Sequence, residues 1–257
     1  METQADLLVE RLDGRLAAVT MRRPDRRNAL SLAMMQALAE AFEELGRDRS
    51  VRAVILRGEG PAFSAGHDLR ELRDADAAAA RAIFDACVRL MGVLHAIPQP
   101  VIAEVGAIAT AAGCQLVAAC DLAVASTAAR FATPGVRIGL FCSTPMVALS
   151  RAIGRKRALE MLLIGEEIDA QTALAWGLVN RVVPPERLEE ETLALARAVA
   201  RAAPAVVALG KSAFYAQIER DERAAYDYTR EVMTLNALFP EAREGIGAFL
   251  DKRPPNF

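Results

Sequence analysis

Residues 100–126, PVIAEVGAIATAAGCQLVAACDLAVAS, decide the fold class of this chain. QPVIAEV, which overlaps the start of this stretch, is a short apolar run typical of a buried strand. TAAGCQLVAAC predicts a helix of small residues, and DLAVAS predicts a further strand. Because short strands and helices alternate, the stretch indicates α/β architecture with parallel pairing of the strands.

The same alternation continues toward the N-terminus. LLVERL and LAAVTM, separated by a D-G turn, predict a β-hairpin. We expect Asn28 to cap the helix ALSLAMMQALAEAFEELG, which ends at Gly46. VRAVILRG predicts a short buried strand, and residues 74–96 predict a second helix that is ended by Pro98.

The pattern changes after Pro184-Pro185, because the remainder is nearly all helical. The helices predicted there are Leu188–Ala202, Ala205–Ile218 and Asp221–Leu238. We therefore divide the chain into a core, residues 1–185, and a helical C-terminal region, residues 186–257. The apolar faces of these helices must be buried against the core or against another subunit.

Composition excludes several classes of partner. The 257 residues are 53% hydrophobic and 25% charged, which argues against disorder. A formal net charge of −2 gives no reason to expect nucleic acid or an anionic membrane surface as a partner. The longest charge-free run, residues 105–120, is shorter than the roughly 18–20 residues of a membrane-spanning helix. We expect neither a nucleic acid nor a membrane as partner.

Cysteine and histidine spacing argues against a metal site. The residues concerned are His67, Cys87, His95, Cys114, Cys120 and Cys142. They contain no C-x-x-C pair and no histidine at ligand spacing from a cysteine. Sparse cysteines fit a reducing compartment, and METQADLLVE lacks the apolar core of a secretory signal, so we expect a cytoplasmic protein.

Two short motifs carry the candidate chemistry. FSAGHDL, residues 63–69, contains a glycine that lets the backbone turn and a ligand approach the main chain. ATAAGCQ, residues 109–115, follows a strand and opens a helix, whose first N–H groups are unpaired and bind negative charge. Taken alone, the first also fits an ordinary turn and the second a closely packed helix.

Together with the FATPGVRIGL that follows, the two motifs resemble the enoyl-CoA hydratase/isomerase (crotonase) superfamily. The block at residues 100–126 matches the family without a gap, and the similarity runs from about residue 7 to the terminal EGIGAFLDKRPPNF. AAGCQLVA, FATPGV and GLFCSTP most resemble the branch called enoyl-CoA hydratase domain-containing protein 3.

This resemblance implies a crotonase-like α/β fold, a spiral of ββα repeats with a helical C-terminal region that builds homotrimers or homohexamers. It implies an acyl-CoA thioester as partner, with no separate cofactor, because the CoA moiety is part of the substrate. The two oxyanion-hole amides of the family fall on the backbones of His67 and Ala112. The His67 side chain is then expected to point to solvent or to the pocket wall rather than to act as a general base.

The resemblance, together with residue chemistry, also assigns residues to the CoA moiety. They are Arg26, Arg27, Ala65, Asp68, Leu69, Arg70, Met233 and Lys252. Ala65 matches the backbone position that reads adenine, and Lys252 matches a lysine that reaches the CoA of a neighbouring subunit, with Met233 at the accompanying aromatic position. Guanidinium groups suit phosphates, so Arg26 and Arg27 are candidates for them; solvated surface charge is the alternative.

Both glutamates with which hydratases of the family activate water are replaced, by Gln115 and Gly135. Glutamine can hydrogen-bond a water but cannot take its proton, and glycine has no side chain. We therefore do not expect efficient hydration of an enoyl-CoA. Candidate replacement groups are Asp68, Glu71, His95, Cys142, Ser143 and Thr144. Ser143 ranks first, because it aligns near the glycine that faces the reacting carbons; Thr144 also fits a helix N-cap before Pro145.

Two functions from different classes follow. The first is an acyl-CoA-binding enzyme, a lyase or isomerase, that stabilises a thioester oxyanion through the amides of His67 and Ala112. The second is a non-catalytic acyl-CoA-binding oligomer that has kept the pocket without its acids. RNA binding, known for one relative of the family, has little support from a net charge of −2.

Overall fold

The computed structural model describes residues 6–257, whose strands form two sheets. The strands are β1 (Leu7–Arg11), β2 (Leu16–Met21), β3 (Ala53–Gly58), β4 (Ala62–Ser64), β5 (Val101–Val105), β6 (Ile108–Thr110), β7 (Leu122–Ser126), β8 (Arg130–Ala132), β9 (Ile168–Asp169) and β10 (Arg181–Val183). The helices are α1 (Leu32–Arg47), α2 (Leu69–Arg73), α3 (Ala77–Ala96), α4 (Ala112–Ala119), α5 (Pro145–Ala152), α6 (Arg155–Ile164), α7 (Ala170–Trp176), α8 (Leu188–Ala200), α9 (Pro204–Gln217), α10 (Glu222–Asn236) and α11 (Pro240–Leu250).

The two sheets are built by a repeated turn of the chain. The larger sheet has the order β1-β2-β3-β5-β7-β10, and the smaller has the order β4-β6-β8-β9. Only β1–β2 and β8–β9 pair antiparallel, and the other described neighbours are parallel. Each of the pairs β3/β4, β5/β6 and β7/β8 sends its first strand into the larger sheet and its second into the smaller one, before a helix follows. This confirms the predicted α/β spiral of ββα turns and the N-terminal hairpin.

Alternating side chains bury both faces of the larger sheet. On β3, Val54 and Leu56 face the main core, which lies under helices α1 and α3, while Ile55 faces the opposite side. Helix α8 covers that opposite side through Leu188, Ala196 and Ala200. The first helix after residue 185 is therefore packed against the sheet.

The start of α1 differs from the sequence-based expectation. Ser31, not Asn28, is the N-cap, and its hydroxyl accepts a hydrogen bond from the Met34 N–H at 3.2 Å. Asn28 is fully buried with a φ of 51°, a conformation that asparagine tolerates. Its side-chain nitrogen donates to the carbonyl oxygens of Glu59 at 2.9 Å and Ala62 at 2.8 Å. Asn28 therefore fixes the loop before α1 to the β3–β4 turn.

A polar cluster, half-buried except for the buried Lys211, attaches α9 to the core. We call His95, Asp121, Lys211 and Tyr215 the α9 cluster. The Lys211 ammonium donates to Asp121 Oδ2 at 2.7 Å and to the carbonyls of Leu94 and Gln99 at 2.7 and 2.9 Å. The Tyr215 hydroxyl donates to the other Asp121 oxygen at 2.9 Å, and its ring stacks on His95 at 3.9 Å.

The C-terminal helices begin and end within a few residues of the predicted ones, and α11 adds one that the pattern did not resolve. Over residues 6–257, no single helix has the length and apolar character to cross a bilayer. Only the sharply bent pair Pro185–Ala200 and Pro204–Gln217 meets that criterion jointly, by length and composition alone.

Candidate active site

The two motif loops meet because glycines allow their backbones to touch. A Cβ on Gly66, whose φ is +84°, would lie 2.8 Å from the Ala111 Cβ and 3.1 Å from the Ala112 nitrogen. A Cβ on Gly113 would overlap the Ser64 carbonyl group. Both positions therefore require glycine, and the start of α4 lies directly against the end of β4.

This contact brings together two backbone amides that lack acceptors. Leu30 forms a parallel bridge with His67, donating to Gly66 O at 2.7 Å and accepting from Asp68 N–H at 3.2 Å. The His67 N–H therefore points away from Leu30. Ala112 is the first residue of α4, so its N–H has no intrahelical acceptor. Within the described part of the chain, neither amide donates a hydrogen bond.

Ala111 fixes the direction of the second amide. It adopts φ 51° and ψ −120°, a sparsely populated region for a residue with a side chain. Its own N–H donates to the Ala132 carbonyl on β8 at 2.9 Å, which holds this turn in place. The N-terminus of α4 thus presents its N–H groups and the positive end of its dipole in a fixed orientation.

A cavity of about 320 Å³ opens beside the first of these residues, His67. It is lined by Asp25, Arg26, Arg27, Ala29, Ala65, His67, Asp68, Leu69 and Arg70. Six of the eight residues that the sequence assigned to CoA are in this set. The Ala65 N–H donates to the Arg27 carbonyl at 2.9 Å, which brings the arginine loop next to the first motif.

The remaining two assigned residues lie elsewhere. Met233 is exposed on α10, and Lys252 is exposed just after α11 with a φ of 55°. Neither lines the cavity. The resemblance predicts that Lys252 contacts the CoA bound to a neighbouring subunit. The roles of Lys252 and Met233 are therefore predictions for the oligomer.

Gln115 lies among neutral groups. Its side chain is only 4% exposed, and its Oε1 accepts a long hydrogen bond from the Cys87 thiol of α3 at 3.6 Å. Burial raises the pKa of Cys87 to about 11, although its hydrogen bonds with Thr144 and Gln115 act in the opposite direction. The thiol is therefore protonated at neutral pH, and the side chain that contacts Gln115 carries no charge with which to activate a water.

Gly135 has no space for a side chain. It lies in the 3-10 turn Pro134–Ile138, where a Cβ would overlap the Leu140 carbonyl oxygen and lie 2.8 Å from the Cys142 sulfur. Burial raises the pKa of the Cys142 thiol. The sulfur of Cys142 occupies the volume that a side chain at position 135 would need.

Most of the other proposed replacement groups have structural partners. Asp68 caps α2 by accepting from the Arg70 N–H at 3.2 Å, and Glu71 accepts from the Leu32 N–H at the start of α1 at 2.8 Å. His95 belongs to the α9 cluster and bonds to the Ala119 carbonyl at 3.0 Å.

The loop before α5 divides its polar side chains between solvent and interior. Ser143 is exposed, and its hydroxyl donates to the Phe141 carbonyl at 3.4 Å. Thr144 precedes Pro145 at the helix start, but it has a helical ψ of −41° and its side chain makes no capping bond. Thr144 and Pro145 therefore occupy the N-cap and first helical positions that the sequence predicted, but the Thr144 hydroxyl does not cap the helix.

Sequence reasoning missed the contribution of α3. Phe84 packs edge-on against the His67 ring, with centroids 5.4 Å apart, and Cys87 reaches Gln115. The two residues are three positions apart and thus share one face of the helix. That spacing was visible in the sequence, but it did not show which loops the face would meet. In residues 6–257, no three His, Cys, Asp or Glu side chains lie close enough together to hold a metal ion.

Several known proteins resemble this chain over nearly its whole length. An enoyl-CoA hydratase from Mycobacterium smegmatis is 50% identical with a TM-score of 0.95, covering 98% of each chain. The structure of human enoyl-CoA hydratase domain-containing protein 3 is 46% identical with a TM-score of 0.94, covering 98% of this chain and all of that one. The 2,3-dehydroadipyl-CoA hydratase of Escherichia coli is 35% identical over 98% of both chains.

The expectation of a cytoplasmic protein is wrong. Relatives from mouse, rat, frog, human and zebrafish, 45–48% identical to this chain, are named as mitochondrial proteins. The error has a physical reason. Unpaired cysteines indicate only a reducing environment, and the missing apolar core argues only against a secretory signal, so neither observation points to one compartment.

A single family model matches nearly the whole chain. The model described as enoyl-CoA hydratase/isomerase matches residues 11–257. In a comparison of sequences, the human protein named above is 48% identical to this chain over 245 residues. These residues cover 95% of this chain and 80% of that protein. The chain therefore belongs to the enoyl-CoA hydratase/isomerase family, in the branch of enoyl-CoA hydratase domain-containing protein 3.

Proposed function

We propose that this chain is an enzyme, a lyase or isomerase, that binds acyl-CoA thioesters and stabilises negative charge on the thioester oxygen. The two donors are the backbone N–H groups of His67 and Ala112. The observation that carries this proposal is the pair of fixed, acceptor-free amides, the first of which belongs to a residue that lines the cavity. A donor aimed at a developing oxyanion is worth about 2.7–4 kcal/mol of barrier.

The cavity supports the CoA part of the proposal. Arg26 and Arg27 lie on its rim beside Ala65, and guanidinium groups suit phosphate oxygens. The thioester of a bound molecule would then lie near His67, on the same cavity wall. The assembly with Lys252 and Met233 of a second subunit is part of the same proposal.

Efficient hydration is not part of this function. A positioned acid or base contributes roughly 10²–10⁴ in rate, and Gln115 and Gly135 supply neither. Carbonyl polarisation depends only on the two amides and is retained. The proposed reactions are therefore those that pass through a thioester enolate or a tetrahedral oxyanion: isomerisation, hydrolysis or a slow hydration.

Removing one amide tests the proposal. Ala112→Pro deletes this N–H, but the φ 51° and ψ −120° of Ala111 disfavour a following proline, so circular dichroism must first show that the variant folds. We expect bound crotonyl-CoA to show a carbonyl stretch shifted to lower frequency in the wild type, and a smaller shift in the variant. Glu222→Pro, at the first position of the exposed helix α10, is the matched control. An unchanged carbonyl frequency on binding to the wild type contradicts the proposal.

Calorimetry tests the CoA assignment separately. Crotonyl-CoA should bind, whereas crotonate, which lacks the nucleotide, should bind much more weakly. Equal affinities would contradict the assignment of Arg26, Arg27 and Ala65 to CoA.

A non-catalytic acyl-CoA-binding oligomer is the second candidate. The neutral surroundings of Gln115 and the filled space beside Gly135 favour it, because the pocket persists without either acid. A turnover screen over enoyl-, hydroxyacyl- and saturated acyl-CoAs separates the two. Binding without any turnover supports this candidate over the enzyme.

A further inference from the structure

The imidazole of His67 is buried without a hydrogen-bond partner. Both ring nitrogens are shielded, so the ring does not point to solvent. Neither nitrogen makes a hydrogen bond of ordinary distance and angle within residues 6–257, and the Leu30 carbonyl lies only near enough to affect the pKa of the ring. The ring lies edge-on to Phe84, which fixes its plane. Buried polar atoms in folded proteins are nearly always satisfied, so an unsatisfied pair requires an explanation.

Its location is next to the proposed reaction centre. The side chain belongs to the residue whose own N–H is the first of the two amides. His67 is one of the residues that line the cavity, and its ring nitrogens lie beneath the cavity surface. Along α3, Phe84 contacts the imidazole, and Cys87, one turn later, contacts Gln115. The imidazole and Gln115 therefore lie along one face of α3.

The imidazole can accept a proton at neutral pH. Burial lowers the pKa of His67, while the Leu30 carbonyl acts in the opposite direction. A neutral imidazole has one nitrogen free to accept. The nearby Cys87 thiol is protonated, and Gln115 has no basic group.

The charged groups around the ring form capping bonds or ion pairs, or lie at the rim of the cavity. Those that line the cavity with His67 are Asp25, Arg26, Arg27, Asp68 and Arg70. Of the two carboxylates, Asp68 caps α2 and lies 3.8 Å from the Arg23 guanidinium, and Asp25 lies 3.6 Å from the Arg26 guanidinium.

We propose that the His67 imidazole is the proton acceptor of this site, removing a proton from the carbon next to the thioester carbonyl. This inference rests on the proposed function. The C–H bond breaks, its proton forms an N–H bond on the imidazole, and its electron pair forms the carbon–carbon double bond of an enolate. The carbonyl π pair moves to oxygen, where the amides of His67 and Ala112 stabilise the charge. The imidazolium then returns a proton to carbon.

Deuterium exchange measures this step without a co-reactant. Butyryl-CoA incubated with the wild type in D₂O should gain deuterium at the carbon beside the carbonyl, detected by mass spectrometry. His67→Gln retains the backbone N–H but cannot accept the proton, so exchange should fall by about 10²-fold or more. His95→Gln changes the only other histidine of the chain, in the α9 cluster, and should exchange at the wild-type rate.

The pH profile and the ring nitrogens give independent readouts. The exchange rate should rise with pH through the pKa of His67 and level off above it. In ¹⁵N spectra of the wild type, butyryl-CoA should shift the His67 ring nitrogens and leave those of His95 unchanged. This measurement needs no variant, so it decides the matter even if His67→Gln does not fold.

Calorimetry with butyryl-CoA separates the failures. Binding to the wild type without exchange, exchange by folded His67→Gln at the wild-type rate, or unresponsive His67 nitrogens each overturn the assignment of His67 and leave acyl-CoA binding intact. Absence of binding to the wild type overturns the proposed function, and this inference with it.

Discussion

Gln115 and Gly135 stand where the resemblance predicts the two acids of a hydratase, and the two positions differ in their surroundings. Gln115 has a side chain, which is buried against the thiol of Cys87. Gly135 has none, and the loop carrying Leu140 and Cys142 has closed over the space. A glutamate is thus conceivable at position 115 and is sterically excluded at position 135. Hydration cannot be restored here by replacing the two residues alone.

Substitution of Gly135 should therefore destabilise the protein. Gly135→Ala forces a methyl group into the Leu140 carbonyl and the Cys142 sulfur, and we expect a loss of about 1–3 kcal/mol in the free energy of unfolding. Urea denaturation measures this loss. Gly92→Ala, in α3 with nothing within 4 Å of the added carbon, is the control and should raise stability by up to about 1 kcal/mol. A neutral Gly135→Ala would show that the loop can move aside.

The position of helix α9 depends on one buried charge, the Lys211 ammonium. Lys211 is attached at once to the end of α3, to the segment before β5 and to Asp121 before β7. Burial lowers the pKa of Lys211, and the carboxylate of Asp121 acts in the opposite direction. The helix is therefore positioned by a hydrogen-bonded ion pair as well as by apolar packing.

Lys211→Met should consequently cost about 3–5 kcal/mol, because it leaves the Asp121 carboxylate in a buried site without its cation. Chemical denaturation gives the magnitude, and hydrogen exchange should show that α9 opens before the sheet. Lys156→Met, which changes an exposed lysine on α6, should lie within about 0.5 kcal/mol of the wild type. Equal stability of the two variants would rule out an anchoring role for Lys211.

The stability of the whole molecule should depend on both histidines. Burial is the main cause that lowers the pKa of His67 and of His95 from the ordinary value of 6.5. Below pH 6.5 the unfolded chain therefore binds protons that the folded chain does not, and the free energy of unfolding falls as the pH falls. Each histidine contributes at most about 1.4 kcal/mol per pH unit.

Urea denaturation at pH 7, 6 and 5 checks this dependence. His95→Gln should show a shallower loss of stability with falling pH than the wild type, and the difference isolates one histidine from the titrating carboxylates. Identical slopes for the two proteins would contradict the prediction.

Assembly is the second expectation for the whole molecule. The last two helices and the turn between them expose large apolar side chains, namely Tyr226, Met233, Leu235, Leu238, Ile246, Phe249 and Leu250. Light scattering of the full chain should therefore show at least a trimer, and Phe249→Ser should weaken it, since this ring is 81% exposed. Val88→Ser, on a side chain 59% exposed in α3, is the control. A monodisperse monomer that still bound acyl-CoA would remove the proposed role of Lys252 between subunits.

The sequence by itself determined the N-terminal hairpin, strands β3, β5 and β7, the main helices that follow them, and the presence of two glycine-containing turns. These features depend on local periodicity and on backbone freedom, which neighbouring residues encode. The resemblance, together with residue chemistry, also named six of the nine residues that line the cavity, in two segments about 40 residues apart.

Only the tertiary structure decided what distant residues do to one another. Asn28 was expected to cap helix α1 and instead donates to carbonyl oxygens of the β3–β4 turn. Thr144 does stand at the N-cap position of α5, but its hydroxyl makes no capping bond. The burial of the His67 ring against Phe84 and the filling of the space at Gly135 by Cys142 also depend on contacts across the fold. Such contacts are set by how elements pack, and a single sequence records the face of each element but not the partner that this face meets.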